Sequence, residues 1–472
     1  MRCDATETTG GFANFSQVSE HLGMTIPDGP PSLPPPRRAS WFISWLMILG
    51  SIGYLAGQVY THKQAAAGRS DDFQLELTGR ILVGQKLTLE TLAQKQPSVR
   101  ESMRSIDAGE KSLQQKLRLA IVAGELAGAE EAMKRVGELR SSAATRPQID
   151  DLQTLEKIYA GQRDLVTPDE RTTLVEHHDW FGRLALVYGL PDDNTERAAV
   201  IAPAKRAMLV SALAVGGILM LVLAGLILLI VAIVLLANRT IRPRFSPVVT
   251  SSGTPVFLEA FAIYITLFVL FGELTRVMMH TPSLVRYLFF TLLIPAALAW
   301  PILRGASWRE SMLGFGWHRG RGLFTEMGCG IGGYIAGLPL VALALLVTVL
   351  LSRFVGASPS HPITNELRGS RATLGLIYVL ACVWAPLMEE TMFRGALFNH
   401  LRGRWNWIVS ALVVGLLFAL VHPQGWTAIP ALGTIGAVLA GLREWRGSLI
   451  GPMTAHALNN ATAITIAALL VR

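Results

Sequence analysis

An all-α, polytopic membrane protein of about nine spans, with a soluble helical domain inserted near its N-terminus, is the fold class the sequence predicts. Three observations carry it. Of 472 residues, 51% are hydrophobic and only 16% charged, and the mean hydropathy is +0.40, outside the range of ordinary soluble domains. Uncharged apolar runs approaching the roughly 20 residues needed to cross a bilayer recur along the chain. Arginines gather at the ends of those runs.

In chain order, residues 1–40 are polar and end in the proline-rich Pro30 to Pro36 before Arg37 and Arg38, the composition of a disordered cytoplasmic tail. Residues 41–60 begin too late for an ordinary secretory signal and lack a small-residue cleavage site, so they read as a retained membrane anchor. From 61 to 205 the composition turns to Leu, Ala, Glu, Lys and Arg, that of an exoplasmic helical domain. Within it, Leu117 to Leu139, around Gly-Glu-Leu-Ala-Gly, reads as a helical hairpin. Thr167, Pro168 and Glu170 make a helix start and Gly189 its stop. His177, His178 and Asp179 fall inside that helix; neighbours on a helix point about 100° apart, which favours a solvated face over a metal site. A transmembrane helix follows at 207–237, and 250–472 forms the remaining unit, with apolar runs near 256–275, 284–303, 327–352, 373–401, 406–422, 428–442 and 448–471.

The formal charge of +8 raises nucleic acid as a partner, but no dense basic stretch is interleaved with aromatics, and the expectation is no nucleic-acid role. The arginines are an orientation signal instead. Arg239, Arg242 and Arg244, then Arg304, Arg309, Arg319 and Arg321, then Arg402 and Arg404, then Arg443 and Arg446 outnumber Arg353, Arg368 and Arg371 in the alternate loops. The positive-inside rule therefore puts the first set and the N-terminus in the cytoplasm and 61–205 outside. Cys3, Cys329 and Cys382 are scattered and read as packing residues. Gly328, Gly330 and Gly333 spell GxGxxG without a preceding strand; close helix packing explains them better than a dinucleotide site.

Ionisable side chains at membrane depth cost about 2.5–3.5 kcal/mol each on insertion scales, and they line cavities or pair up. Glu259, Glu273, Arg276, Arg286 and His400 read as interhelical hydrogen-bond residues. The C-terminal runs hold a denser set: Glu389, Glu390 and Arg394 on one helix, His422 at the end of the next, His456 and Asn460 on the last. Glu389 lies 13 residues before Arg402, His422 lies 16 after Asn406, and His456 and Asn460 lie 10 and 14 after Arg446. At about 1.5 Å per residue these heights are about 20, 24, 15 and 21 Å, one slab of the membrane. Pro386 would break or kink its long run. Glu390 and Arg394, four apart, can pair, which leaves the Glu389 carboxylate free as a general base. Phe418 shares a face with His422, and His456 shares one with Asn460. A Glu and a His can hold and deprotonate water, while a His and an Asn can stabilise an oxyanion.

Glu-Glu-Thr-Met-Phe-Arg at 389–394, Phe-Ala-Leu-Val-His at 418–422 and His-Ala-Leu-Asn-Asn at 456–460 resemble the three motifs of the CPBP family. These are the CAAX-processing (type II prenyl protease) and bacteriocin-processing membrane endopeptidases, which include proteins like the lysostaphin-resistance protein. The context Leu-Ala-Gly-Leu-Arg-Glu-Trp-Arg-Gly-Ser-Leu before Ala455 and His456 is similar too. The resemblance covers about 373–471 and implies that 250–472 is an intramembrane protease domain. It implies Glu389 and His422 on the water, His456 and Asn460 on the oxyanion, and Glu390 and Arg394 as organising residues.

The cofactor stays open: Glu389, His422 and His456 are candidate zinc ligands, no HExxH is present, and a metal-independent Glu and His base is the preferred expectation. The expected partners are the lipid bilayer and a protein or peptide substrate, associated with the membrane or lipidated, and the expected location is the plasma membrane of a bacterium. Two other classes fit the composition, a non-catalytic binding or regulatory protein of the same fold and a proton-coupled transporter.

Overall fold

The computed structural model describes residues 38–61, 63–91, 111–251, 254–277, 297–355, 366–367 and 369–471. Every regular element among them is helical. The tail at 1–37, most of the run at 284–303, Cys3, Arg286 and Arg368 lie outside the described residues.

Helices α1 (Arg38–Thr61) and α2 (Lys63–Thr91) lead into an N-terminal bundle. Its members are α3 (Leu113–Ala127), α4 (Ala129–Leu139), α5 (Arg146–Tyr159), α6 (Pro168–His178) and α7 (Trp180–Leu186). Capping boxes start three of them, Ser112 with Gln115, Thr145 with Gln148 and Thr167 with Glu170, each satisfying two of the orphan N–H groups of a first turn. The Glu170 carboxylate, bonded to Lys157 and to the Thr167 N–H, is held below its usual pKa range. Gly128, at φ 99°, separates α3 from α4 and makes the hairpin turn. The helix that begins at Pro168 stops earlier than Gly189, because Asp179 adopts φ 51° and turns the chain into α7. That turn also corrects the reading of a solvated His pair. His178 is fully buried, and both rings bond Asp151, His177 Nδ1 at 2.9 Å and His178 Nε2 at 3.2 Å from Oδ2.

The bundle core draws residues from Leu75 to Ala204, including Ile121, Leu155, Trp180 and Phe181. Ile201 and Ala204 belong to α8 (Thr195–Ala237), a 43-residue helix that starts in the bundle and continues as a lipid-type helix. Arg197 near its start is buried on Glu125 at 2.5 Å, tying α8 to α3.

The second unit comprises α9 (Val256–Val277), helical residues at 297–303, α10 (Trp308–Phe315), α11 (Leu323–Val355), α12 (Arg371–Arg402), α13 (Trp407–Leu420), α14 (Ile429–Arg446) and α15 (Ile450–Val471). Six helices among the described residues are long and apolar enough to cross a membrane, fewer than the nine runs. Part of the difference is the run at 284–303. Helix α13 has only 14 residues, and α15 carries His456, Asn459 and Asn460, which lower its hydropathy.

Small residues set the helix spacing. A Cβ on Gly415 would lie 2.4 Å from Gly433 O, and one on Gly436 2.7 Å from Gly415 Cα, so α13 and α14 touch backbone to backbone. Gly330, Gly333 and Gly337 likewise abut Gly451, Leu442 and Val438, whereas Gly328 and Gly332 face open space. Edge-to-face phenylalanines fill the centre, Phe257 on Phe315, Phe261 on Phe393, and Phe393 on Phe418.

Two arginines read as loop charges prove to be buried. Arg446 forms a two-bond pair with Glu326 at 2.8 and 2.7 Å. Arg443 donates to the carbonyls of Arg394 and Gly314, both at 3.2 Å, and lies over Phe245. Arg402 pairs with Glu444, and Glu259 accepts from Arg304, Trp300 and Ser40, the structural role read for it. Arg239, Arg242, Arg244, Arg309, Arg319, Arg321 and Arg404 are exposed.

Candidate active site

Helix α12 is continuous through Pro386, but it carries two wider π-helical turns, Leu380–Trp384 and Glu390–Leu397, on either side of the α-helical Ala385–Glu389. Proline cannot donate to the helix ladder and clashes with the carbonyl of the preceding turn; the wider turn accommodates it without a break. Glu389 ends that α-helical piece, and Glu390 opens the next π turn. His422 lies two residues beyond α13 and His456 in the second turn of α15.

The three side chains converge. His422 Nε2 and His456 Nε2 each lie 3.9 Å from Glu389 Oε2, too far for a direct hydrogen bond. Their other nitrogens are fixed from behind. His422 Nδ1 is 2.6 Å from the Phe418 carbonyl, which only accepts, so this nitrogen carries the proton. His456 Nδ1 is 2.8 Å from Glu390 Oε1, and the ionised carboxylate again requires a donor. In their neutral forms both rings therefore present Nε2 lone pairs toward Glu389, whose buried Oε2 has no hydrogen-bond partner among the described residues. Three acceptors face one small space with no donor among them.

Behind this space Glu390 Oε1 also accepts from Arg394 Nη1 at 2.9 Å, with both side chains fully buried. Arg394 Nη2 donates to Gly436 O at 2.9 Å, and its guanidinium lies 4.5 Å from the Phe418 ring centre. Phe418 in turn contacts the rings of His422 and His456, at 4.3 and 5.9 Å between centroids. The expected pair of Glu390 with Arg394 thus forms, and Phe418 joins all three helices.

Asn460 is not turned to Glu389 in the same way. Its Nδ2 donates to Ala381 O at 2.8 Å, in the first π turn of α12, which leaves one amide hydrogen for another acceptor. Three residues beyond the motifs join the surroundings. Tyr264 of α9 is buried, the Oε1 of Gln424 is buried two residues past His422 without a hydrogen-bond partner among the described residues, and Arg443 bonds the backbone of Arg394. No periodicity or spacing marks Tyr264 or Gln424 in the sequence; they lie in an unrelated apolar run and in a turn.

A carboxylate and two imidazoles with their Nδ1 atoms held from behind are a donor set that suits zinc in kind. Zinc donors about 2.0–2.2 Å from the metal stand about 3.3 Å apart, so the 3.9 Å separations would have to contract. No such trio is close enough to hold a metal as it stands among the described residues.

Residues 371–462 match the family profile described as type II CAAX prenyl endopeptidase, Rce1-like. An uncharacterized 24.3 kDa protein of Escherichia coli is 30% identical over 129 residues, 25% of this chain and 59% of that protein. The membrane-embedded CAAX protease MroQ of Staphylococcus aureus (strain USA300) is 26% identical over 137 residues, 28% of this chain and 55% of that protein. The chain thus spans less than two thirds of the length of these curated relatives. No solved structure matches.

Proposed function

We propose that this multi-pass membrane protein, whose C-terminal segment is similar to the Rce1-like CAAX proteases, is an intramembrane endopeptidase that cuts membrane-associated or lipidated protein or peptide substrates with an activated water. The observation that carries it is the convergence of Glu389 Oε2, His422 Nε2 and His456 Nε2, from three helices, on one small space. Water, with two hydrogens to give and a lone pair to attack with, complements that space.

Glu389 takes a proton as the water oxygen bonds to the peptide carbonyl carbon, and His422, with its Nδ1 proton committed to a neutral carbonyl, holds the water as an acceptor. His456, oriented by Glu390 through Nδ1, is the donor to the oxyanion when its Nε2 carries a proton. The remaining Asn460 N–H is the second oxyanion donor. When the C–N bond breaks, the proton held by Glu389 passes to the leaving amine. If zinc is resident, Glu389, His422 and His456 would hold it, and it would supply Lewis-acid polarisation of the water.

The test compares membrane proteomes of cells carrying wild type or Glu389→Gln. A peptide end produced only by the wild type is expected. The rival readings, a non-catalytic binding protein and a transporter, predict identical peptide maps. Orientation is tested separately: with single cysteines, an impermeant reagent outside is expected to modify position 150 and spare position 320 in the plasma membrane. Labelling of 320 alone would invert the topology.

The bundle of residues 61–205 closes a core of its own and is proposed to fold independently without catalysing anything, recruiting substrate or a partner. Expressed alone it is expected to give a helical circular dichroism spectrum and a cooperative melt. A strand-dominated spectrum, or peptide hydrolysis by the fragment, contradicts this.

A further inference from the structure

We infer that Asn460 is a positioning residue for Glu389: its amide supplies the hydrogen bond that the backbone of Pro386 cannot, and so holds the π-helical turn that aims the carboxylate. In the turn Leu380–Trp384 the Ala385 N–H reaches back five residues to Leu380 O. The next donor in that register would be the N–H of residue 386, reaching Ala381 O. Pro386 has no N–H, and a carbonyl left unpaired inside an apolar slab is costly. Asn460 Nδ2 lies 2.8 Å from that oxygen. Its Oδ1 accepts from Asn459 Nδ2 at 3.3 Å, so the neighbouring amide fixes which end of Asn460 faces Ala381. Tyr378 and Thr465 bond at 2.7 Å between the same two helices.

The bond matters for direction as well as satisfaction. A π turn inserts one residue, and each residue of a helix advances the face by about 100°, so collapse to regular helix would swing everything beyond it by that angle. Glu389 lies five residues past the turn. Its 3.9 Å approaches to His422 and His456 depend on the turn being kept. Asn460 therefore acts through Ala381 O, apart from any contact of its second N–H with substrate.

This inference rests on the endopeptidase reading for its activity readout, but its thermal readout does not. The experiment is a cycle of Asn460→Ala and Pro386→Ala in the full chain in detergent micelles, scored by melting temperature and by kcat and KM on a peptide cut by the wild type. Asn460→Ala is expected to melt earlier and lose kcat by roughly 100- to 1000-fold, the range for an oxyanion-type donor. Adding Pro386→Ala returns an N–H to position 386, and the double variant is expected to regain most of the lost melting temperature and on the order of 10-fold in kcat, a coupling typical of groups in contact. Asn460→Leu, close in shape with no donor, should behave like Asn460→Ala and be rescued in the same way. Strict additivity of the two substitutions in melting and in kcat overturns the inference. If the wild type cuts nothing while the melting cycle shows rescue, the endopeptidase reading fails and the positioning role stands.

Discussion

Glu389→Gln is expected to remove peptide cleavage while the protein inserts, folds and melts as wild type does. The side chain keeps its shape, and among the described residues the nearest charged partners of Glu389 are the two imidazoles at 3.9 Å, beyond hydrogen-bond distance. What is lost is the proton acceptor. General-base catalysis contributes typically 100- to 10,000-fold, so turnover should drop by about that factor with little change in KM. His422→Ala should lose turnover similarly, since its Nε2 is the other acceptor whose orientation is set from behind, by Phe418 O. The readout is kcat and KM on a peptide found in the membrane proteome comparison, with melting temperature as the control for folding. A Glu389→Gln protein that cuts at the wild-type rate removes the carboxylate from the chemistry. Complete inhibition of wild type by a zinc chelator, reversed by zinc, assigns the three converging donors to a metal instead.

The site was legible in the sequence to the extent that membranes make polar residues conspicuous. Glu389, Glu390, Arg394, His422, His456 and Asn460 stand out because a charged or amide group in an apolar run needs a reason. Regular helical spacing also suffices for Glu390 and Arg394, which meet as i and i+4 should. Spacing fails where the helix is irregular. Counting residues assumes 3.6 per turn, and two π turns in α12 break that count on both sides of Glu389. One result is that His456 touches both carboxylates, Glu390 directly and Glu389 across the gap, which no single-helix argument anticipates.

Arginine position misled for a different reason. Arg443 and Arg446 sit at the end of an apolar run, where the composition reads as a loop, yet α14 continues through them to Gly447 and buries both. Their partners, Glu326 and the carbonyls of Gly314 and Arg394, are distant in sequence, and long-range pairing leaves no local trace. The bundle shows the same limit on a smaller scale. The capping box at Thr167 was readable, but the stop at His178 depends on Asp179 adopting φ 51°, a conformation that non-glycine residues seldom take.

Arg394→Ala should act on stability where Glu389→Gln acts on rate. Arg394 and Glu390 are both fully buried, 2.9 Å apart, and Arg394 also donates to Gly436 O. Removing the guanidinium leaves Glu390, among the described residues, with His456 Nδ1 alone on Oε1 and no partner on Oε2. Breaking a buried pair by deleting one member typically costs about 3–5 kcal/mol, because the remaining charge keeps its desolvation penalty and loses its compensation. The Phe418 ring would also lose the cation above it, and with that the packing that sets both imidazoles. Replacing both partners tests whether charge is the cause: Glu390→Gln with Arg394→Met leaves no buried ion and should lose less stability than Arg394→Ala alone. The double variant should still cut poorly, since a neutral amide at position 390 holds the His456 ring less firmly than the carboxylate does. Unfolding in mixed micelles, followed by denaturant titration, measures the difference. An Arg394→Ala protein within about 1 kcal/mol of wild type, or a double variant less stable than the single, would show that the pair is exposed to water or replaced by another partner.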